Sequence, residues 1–248
     1  MKRLHPGDRA TRGHGLSGAG FTLIELLIVI AVIAILAGLV FAGGQMITAR
    51  ANAAASAQNL RQWGIALPLY AAENNGAMPR RGQGVQQLGQ INRPQDWFNA
   101  LPPYLDLPTY QELVNQGNRP KPGDKSVFIC PGAKAPDIST KATNFLGYGM
   151  NMNLSPWNIP LPTMIAEIPK PESVVFMGES PGPYSAVYPS SAQYSVIAPH
   201  GGRGNLLFVD GHVESYTSDY IGCHKSDPGR PDISWKTGTS SDANAPKY

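Results

Sequence analysis

Gly20-Phe21-Thr22-Leu23-Ile24-Glu25 opens an apolar run that reaches Gly44. One carboxylate, Glu25, stands inside that run, and a short basic leader precedes it. A carboxylate in lipid is costly unless a partner offsets it. A break between Gly20 and Phe21 supplies such a partner, because it frees a positive α-amino group close to Glu25 of the same or a neighbouring chain. Gly20 has no side chain, so a protease can approach its carbonyl closely. Residues 1–20 therefore read as a removable leader.

The charge pattern agrees with this division. The leader carries Lys2, Arg3, Arg9 and Arg12 against Asp8, which accounts for the whole formal charge of +3. The remainder is balanced, so no basic excess is left to attract phosphates, and a nucleic-acid partner is not expected. Basic residues beside a membrane span stay in the cytoplasm, which places the C-terminal part on the far side. Residues 21–44 are about 24 residues, enough for a bilayer core of about 30 Å. Ile24 to Leu36 contains neither Pro nor Gly, and in lipid such a run must be helical to satisfy its backbone. The competing reading is a secretory signal peptide cut near Val40-Phe41-Ala42. The internal Glu25, the length of the run and the position of the Gly-Phe junction argue against it.

Beyond the span, residues 45–75 form an Ala-rich continuation of the helix. Leu60, Trp63, Leu67 and Tyr70 fall on one face and predict a stripe packed on the chain's own head. Pro68 should kink or shorten the helix. Up to Leu67 the helix spans roughly 47 residues, or about 70 Å, which predicts a lollipop shape. Asn74, Asn75 and Gly76 suit a C-terminal cap.

The head, 76–223, is rich in Pro and Gly, which make up a fifth of the chain. A short helix is expected around Gln95 to Leu101. Strands are predicted over Ser126–Ile129, Ser173–Met177, Tyr194–Ile197, Asn205–Val209 and His212–Tyr216. The last two flank Asp210-Gly211, a strong hairpin signal. The fold expected is α+β, with the long helix packed on a small antiparallel sheet. Residues 224–248 are polar and aperiodic and read as a mobile tail.

The hexapeptide and its apolar continuation resemble the N-terminal signature of type IV prepilins and type II secretion pseudopilins. The resemblance implies that a prepilin peptidase cuts after Gly20 and methylates the new N-terminal Phe21. It implies that Glu25 pairs with the N-terminal amine of a neighbouring subunit during assembly. The partners implied are the peptidase, other pilin or pseudopilin subunits and inner-membrane lipid. The location implied is a single pass with the head in the periplasm, or outside the cell once assembled. A second stretch, His200-Gly-Gly-Arg-Gly-Asn-Leu-Leu-Phe-Val-Asp210-Gly-His212, resembles a His, nine residues, Asp-Gly signature of bacterial pilin-like proteins. Asn59-Leu60-Arg61-Gln62, Phe128-Ile129-Cys130-Pro131 and Tyr148-Gly149-Met150-Asn151 extend that likeness; Pro68 departs from it.

The remaining candidates for chemistry are few. His200, Asp210 and His212 offer a mixed N/O set that would suit a transition metal. The turn alone explains Asp210-Gly211, however, and a His200 that locks the hairpin backbone is the expectation. Calcium, which some major pseudopilins bind, would have to draw on Asp219, Asp227 and Asp232, and their spacing fits no loop pattern. No cofactor is expected. Cys130 and Cys223 allow one disulfide around about 92 residues, worth up to about 4–5 kcal/mol, or two unpaired thiols. No phosphate loop, Gly-x-Ser-x-Gly or His-Glu-x-x-His is present, and Ser180 reads as part of a turn, so no enzyme activity is expected. The contrasting function is a tethered envelope- or polysaccharide-binding module that does not polymerise. That reading calls for exposed aromatic rings between Trp97 and Tyr110.

Overall fold

The computed structural model describes residues 21–82, 90–133, 144–155, 162–189, 195–223 and 230–238, with backbone alone over 39–45. The leader, Gly20 included, lies outside the described residues. The chain divides into two compact units, Met1–Gly44 and Gln45–Tyr248.

Helix α1 (Leu23–Glu73) begins in the first unit. Its apolar side chains there point outward on all sides, with Leu23, Ile24, Leu27, Ile30 and Ile33 each more than half exposed. A helix that is apolar all round is one that some other surface must cover. Among the described residues no helix is long and apolar enough to cross a membrane. The span expected over 21–44 takes in residues 39–44, whose side chains lie outside the described ones.

In the second unit α1 buries one face. Leu60, Trp63 and Leu67 are sealed, and Tyr70 packs against the same core, as their spacing predicts. The helix passes through Pro68 without ending and stops at Glu73. Asn75 and Gly76 then take positive φ, 55° and 80°, and the Gly76 N–H closes on Ala71 O at 2.8 Å. That is the cap expected from Asn and Gly. Gly64 marks where the helix meets the sheet: a Cβ there would lie 3.0 Å from Leu207 Cδ1 and 3.1 Å from Gly211 O.

The sheet has five strands: β1 (Tyr148–Asn151), β2 (Val175–Glu179), β3 (Ala186–Val187), β4 (Arg203–Phe208) and β5 (Val213–Thr217). Their order is β3-β1-β2-β4-β5. The sheet is mixed, not antiparallel as expected, because β3 pairs parallel to β1 through Met150 with Ala186 and Asn151 with Val187. After β2 the chain crosses to the far side of β1 and leaves only two residues there, too few to carry an alternating pattern. Ser126–Ile129 is a turn whose Phe128 and Ile129 anchor the core, and Ser195–Ile197 is irregular; neither is a strand. Tyr194 lies outside the described residues.

Successive residues of β4 face opposite sides: Leu207 joins the core under α1, while Leu206 and Phe208 join a second core on the other face. Both faces of the strand are covered, which is why it reads as a continuous apolar run. Short helices α2 (Trp97–Ala100) and α3 (Tyr110–Asn115) close the first core, where the Trp63 and Trp97 rings meet edge-on at 5.4 Å. The second core includes Ile233 and Trp235, from the stretch expected to be a mobile tail. Val175 N–H donates to Ser234 O at 3.0 Å, and Ser234 N–H donates to Ser173 O at 2.7 Å. Residues 230–238 are thus docked, because two large apolar side chains outweigh the polar residues around them.

Candidate functional site

Of the N-terminal residues, Phe21 is 83 % exposed, and Glu25 lies in the first turn of α1. Glu25 makes contacts the sequence reading missed. Its Oε2 accepts from Thr22 N–H at 2.9 Å and from Thr22 Oγ1 at 2.8 Å, while Thr22 Oγ1 accepts from Glu25 N–H at 3.3 Å. This is a capping box, and a Thr three residues before a Glu at the head of an apolar run is its sequence signal. Within a single chain, Glu25 therefore has its own helix start as a partner.

A second group of residues forms inside the head. Glu179, the last residue of β2, is completely buried and accepts four hydrogen bonds. Oε1 accepts from Ser56 Oγ on α1 (2.5 Å), His200 Nε2 (2.7 Å) and Asn205 Nδ2 (3.1 Å); Oε2 accepts from Asn205 N–H (3.1 Å). Asn205 also donates to Ala53 O on α1. Cys130 Sγ lies 3.8 Å from His200 Nε2 and 3.6 Å from Ser56 Oγ. Tyr148 OH lies 3.1 Å from Ser56 Oγ and accepts from Asn59 Nδ2. Helix α1, strands β2 and β4 and the turn before β4 thus meet on one carboxylate, with the loop before β1 alongside.

Local packing fixes these positions. Gly147 lets the loop at Cys130 lie against the start of β1: a Cβ there would fall 2.1 Å from the Cys130 backbone nitrogen. His200 sits in the turn that opens β4, with its N–H donating to Arg203 O at 3.0 Å. Burial pushes the Cys130 thiol well above its usual range, and the Glu179 charge adds to the effect. Burial also raises the Tyr148 hydroxyl.

The structure separates the metal set drawn from the sequence. His200 joins Glu179 and Cys130, whereas Asp210 and His212 form their own pair at the β4–β5 turn, Nδ1 to Oδ1 2.6 Å, partly exposed. Asp210 Oδ1 also accepts from His212 N–H, and Gly211 takes φ 93°, so the turn explains both residues. The side chain of His200 serves the buried cluster and not the hairpin backbone as expected; only its own backbone closes a turn, with Arg203 at the head of β4. Asp232 accepts from Tyr220 OH at 2.6 Å, and Asp227 is outside the described residues. Cys130 and Cys223 are both free thiols, and burial raises the Cys223 thiol to about 12. Ser180 holds a turn, accepting from Gly182 N–H.

The cluster does not have the geometry that activates a nucleophile. A histidine relay uses one ring nitrogen for the nucleophile and the other for the carboxylate. Here Cys130 and Glu179 both face Nε2, and Nδ1 is buried without a hydrogen-bond partner. Between Trp97 and Tyr110 the rings a glycan-binding head would need to expose are buried at Trp97, Phe98 and Tyr110, and Tyr104 is partly buried. Trp97 and Tyr110 are fully buried, and Tyr104 donates to Glu73.

Residues 17–41 match the prokaryotic N-terminal methylation motif. The match covers about a tenth of the chain and contains the Gly20-Phe21 junction, Thr22 and Glu25. It supports a type IV pilin-like prepilin, a class that a prepilin peptidase processes and whose members are typically membrane-anchored. No curated protein and no solved structure matches the sequence.

Proposed function

We propose that this chain is a pilin-like structural subunit. A prepilin peptidase cuts it after Gly20 and methylates the amine of Phe21. The mature chain then assembles through its N-terminal helix into a type II secretion pseudopilus or a type IV pilus-like filament, with its head in the periplasm or beyond. The observation that carries this reading is the methylation motif over 17–41, with Phe21 at its junction and Glu25 in the first turn of α1.

The physical argument is one of exchange. Apolar helices leaving lipid can bury the same surface against each other. Glu25 gives up its Thr22 contacts, or shares them, to meet the cationic amine of a neighbour. A charged pair compensates the carboxylate better than neutral donors in a medium of low dielectric constant. The role is structural and not catalytic, in keeping with a buried cluster unsuited to nucleophilic attack. A tethered binding module finds less support, since Trp97 and Tyr110 are core residues.

Filament incorporation of Glu25→Ala and Glu25→Gln tests the reading. Both variants are expected to be processed and then to fail to enter filaments, because neither carries the charge. Wild-type incorporation of Glu25→Gln would contradict it.

A further inference from the structure

We infer that Cys130, Glu179 and His200 form a site for one divalent transition-metal ion, with zinc the best match. Each residue offers one ligand atom, all three atoms lie within 4.8 Å of one another, and all three residues are buried. A tetrahedral zinc site with bonds of about 2.0–2.3 Å has ligand-to-ligand edges of roughly 3.3–3.8 Å. The Sγ–Nε2 separation of 3.8 Å already has that length. The Nε2–Oε1 edge is 2.7 Å because a proton occupies it. It widens by less than about 1 Å when an ion takes the proton's place.

The donor chemistry selects the ion. Thiolate, imidazole and carboxylate are the three side-chain ligands zinc accepts, and a sulfur ligand disfavours magnesium and calcium. Charge balance agrees: a dication with one thiolate, one carboxylate and a neutral imidazole leaves the buried site neutral. The support around the ligands is in place. Asn205 holds Glu179 through its backbone N–H and its side-chain amide, which orients the carboxylate as outer hydrogen bonds do in metal sites.

Binding releases the Cys130 thiol proton to solvent. The ring proton of His200 moves from Nε2 to Nδ1, the nitrogen with no other hydrogen-bond partner. The ion would join β2, the turn before β4 and the loop before β1. Only His200 is shared with the set proposed from sequence, and its two metal partners lie 21 and 70 residues away.

The test is a cobalt(II) titration of the full chain in detergent after chelator treatment. The expected result is one equivalent bound per chain with a thiolate-to-cobalt charge-transfer band in the near ultraviolet, bleached by one equivalent of zinc. Cys130→Ser should lose the band, Cys223→Ser should keep it, and His200→Gln should weaken binding at least tenfold. Zinc should raise the Tm of the wild type and leave that of Cys130→Ser unmoved. If Cys130→Ser fails to fold, the wild-type spectrum decides. A wild-type chain that binds no cobalt, or binds it without sulfur character, overturns the proposal. So does a band that depends on Cys223.

Discussion

His200 Nε2 sits 2.7 Å from Glu179 Oε1, and both side chains are shut off from solvent. The carboxylate also receives Ser56 from α1 and Asn205 from β4, so one residue joins the helix to the sheet. Removing a buried acceptor is costly because it leaves the groups it served unsatisfied, here Ser56, His200 and Asn205. Glu179→Ala should therefore destabilise the head by about 3–5 kcal/mol in urea unfolding, since several buried donors lose their acceptor at once. Glu179→Gln, which keeps an acceptor oxygen, should cost less. A loss below about 1 kcal/mol for the alanine variant would show that the network carries little.

Gly147 tests the close approach that places Cys130. A methyl group there would fall 2.1 Å from the Cys130 backbone nitrogen, far inside van der Waals contact, so the strand and the loop must separate. Gly147→Ala should cost at least about 2 kcal/mol, a value typical of overpacked cores. Thermal unfolding measures it, and a Tm equal to wild type would contradict the packing.

Trp235 tests the docked segment near the C-terminus. It is 4 % exposed and stands 6.0 Å from the Tyr188 ring. Trp235→Ala should cost about 3–5 kcal/mol, as large-to-small changes in cores do. It should also speed limited proteolysis between 230 and 238. An unchanged digestion pattern would mean the segment does not need its anchor.

Asp96 gives a pH dependence. Its carboxylate oxygens are buried without hydrogen-bond partners, and burial raises its pKa to about 6 against the opposing charges of Arg93 and Arg80. A carboxyl whose folded pKa lies above its unfolded value near 4 binds its proton more tightly in the folded state. Its contribution to stability is fully present below about pH 4 and is lost as pH rises through about 6. Asp96→Asn should flatten the Tm profile across that window. A variant profile parallel to wild type would assign the dependence elsewhere.

The elements legible in the sequence were those specified by local pattern. The stripe at Leu60, Trp63 and Leu67, the Asn75-Gly76 cap and the Asp210-Gly211 hairpin each carry their signal within a few residues. Strands β1 and β3 did not, since β3 is two residues long and β1 is preceded by Gly147 and contains Gly149, which serve close packing. His200 was legible as a residue of interest, but its partners were not. Glu179 and Cys130 reach it only through the sheet order, which brings β2 beside β4 and the loop before β1 beside both. The Thr22–Glu25 capping box was readable and was overshadowed by the cost of placing Glu25 in lipid. The docked segment was hidden because Ile233 and Trp235 are isolated among polar residues.

The central claim is that the chain is matured at the Gly20-Phe21 junction, and mass spectrometry of the N-terminal peptide of the protein from its native membrane tests it most directly. The account predicts a mature chain that begins at Phe21 and carries one added methyl group on its α-amine. A mature chain that starts after Ala42, or one that retains residues 1–20, would contradict it.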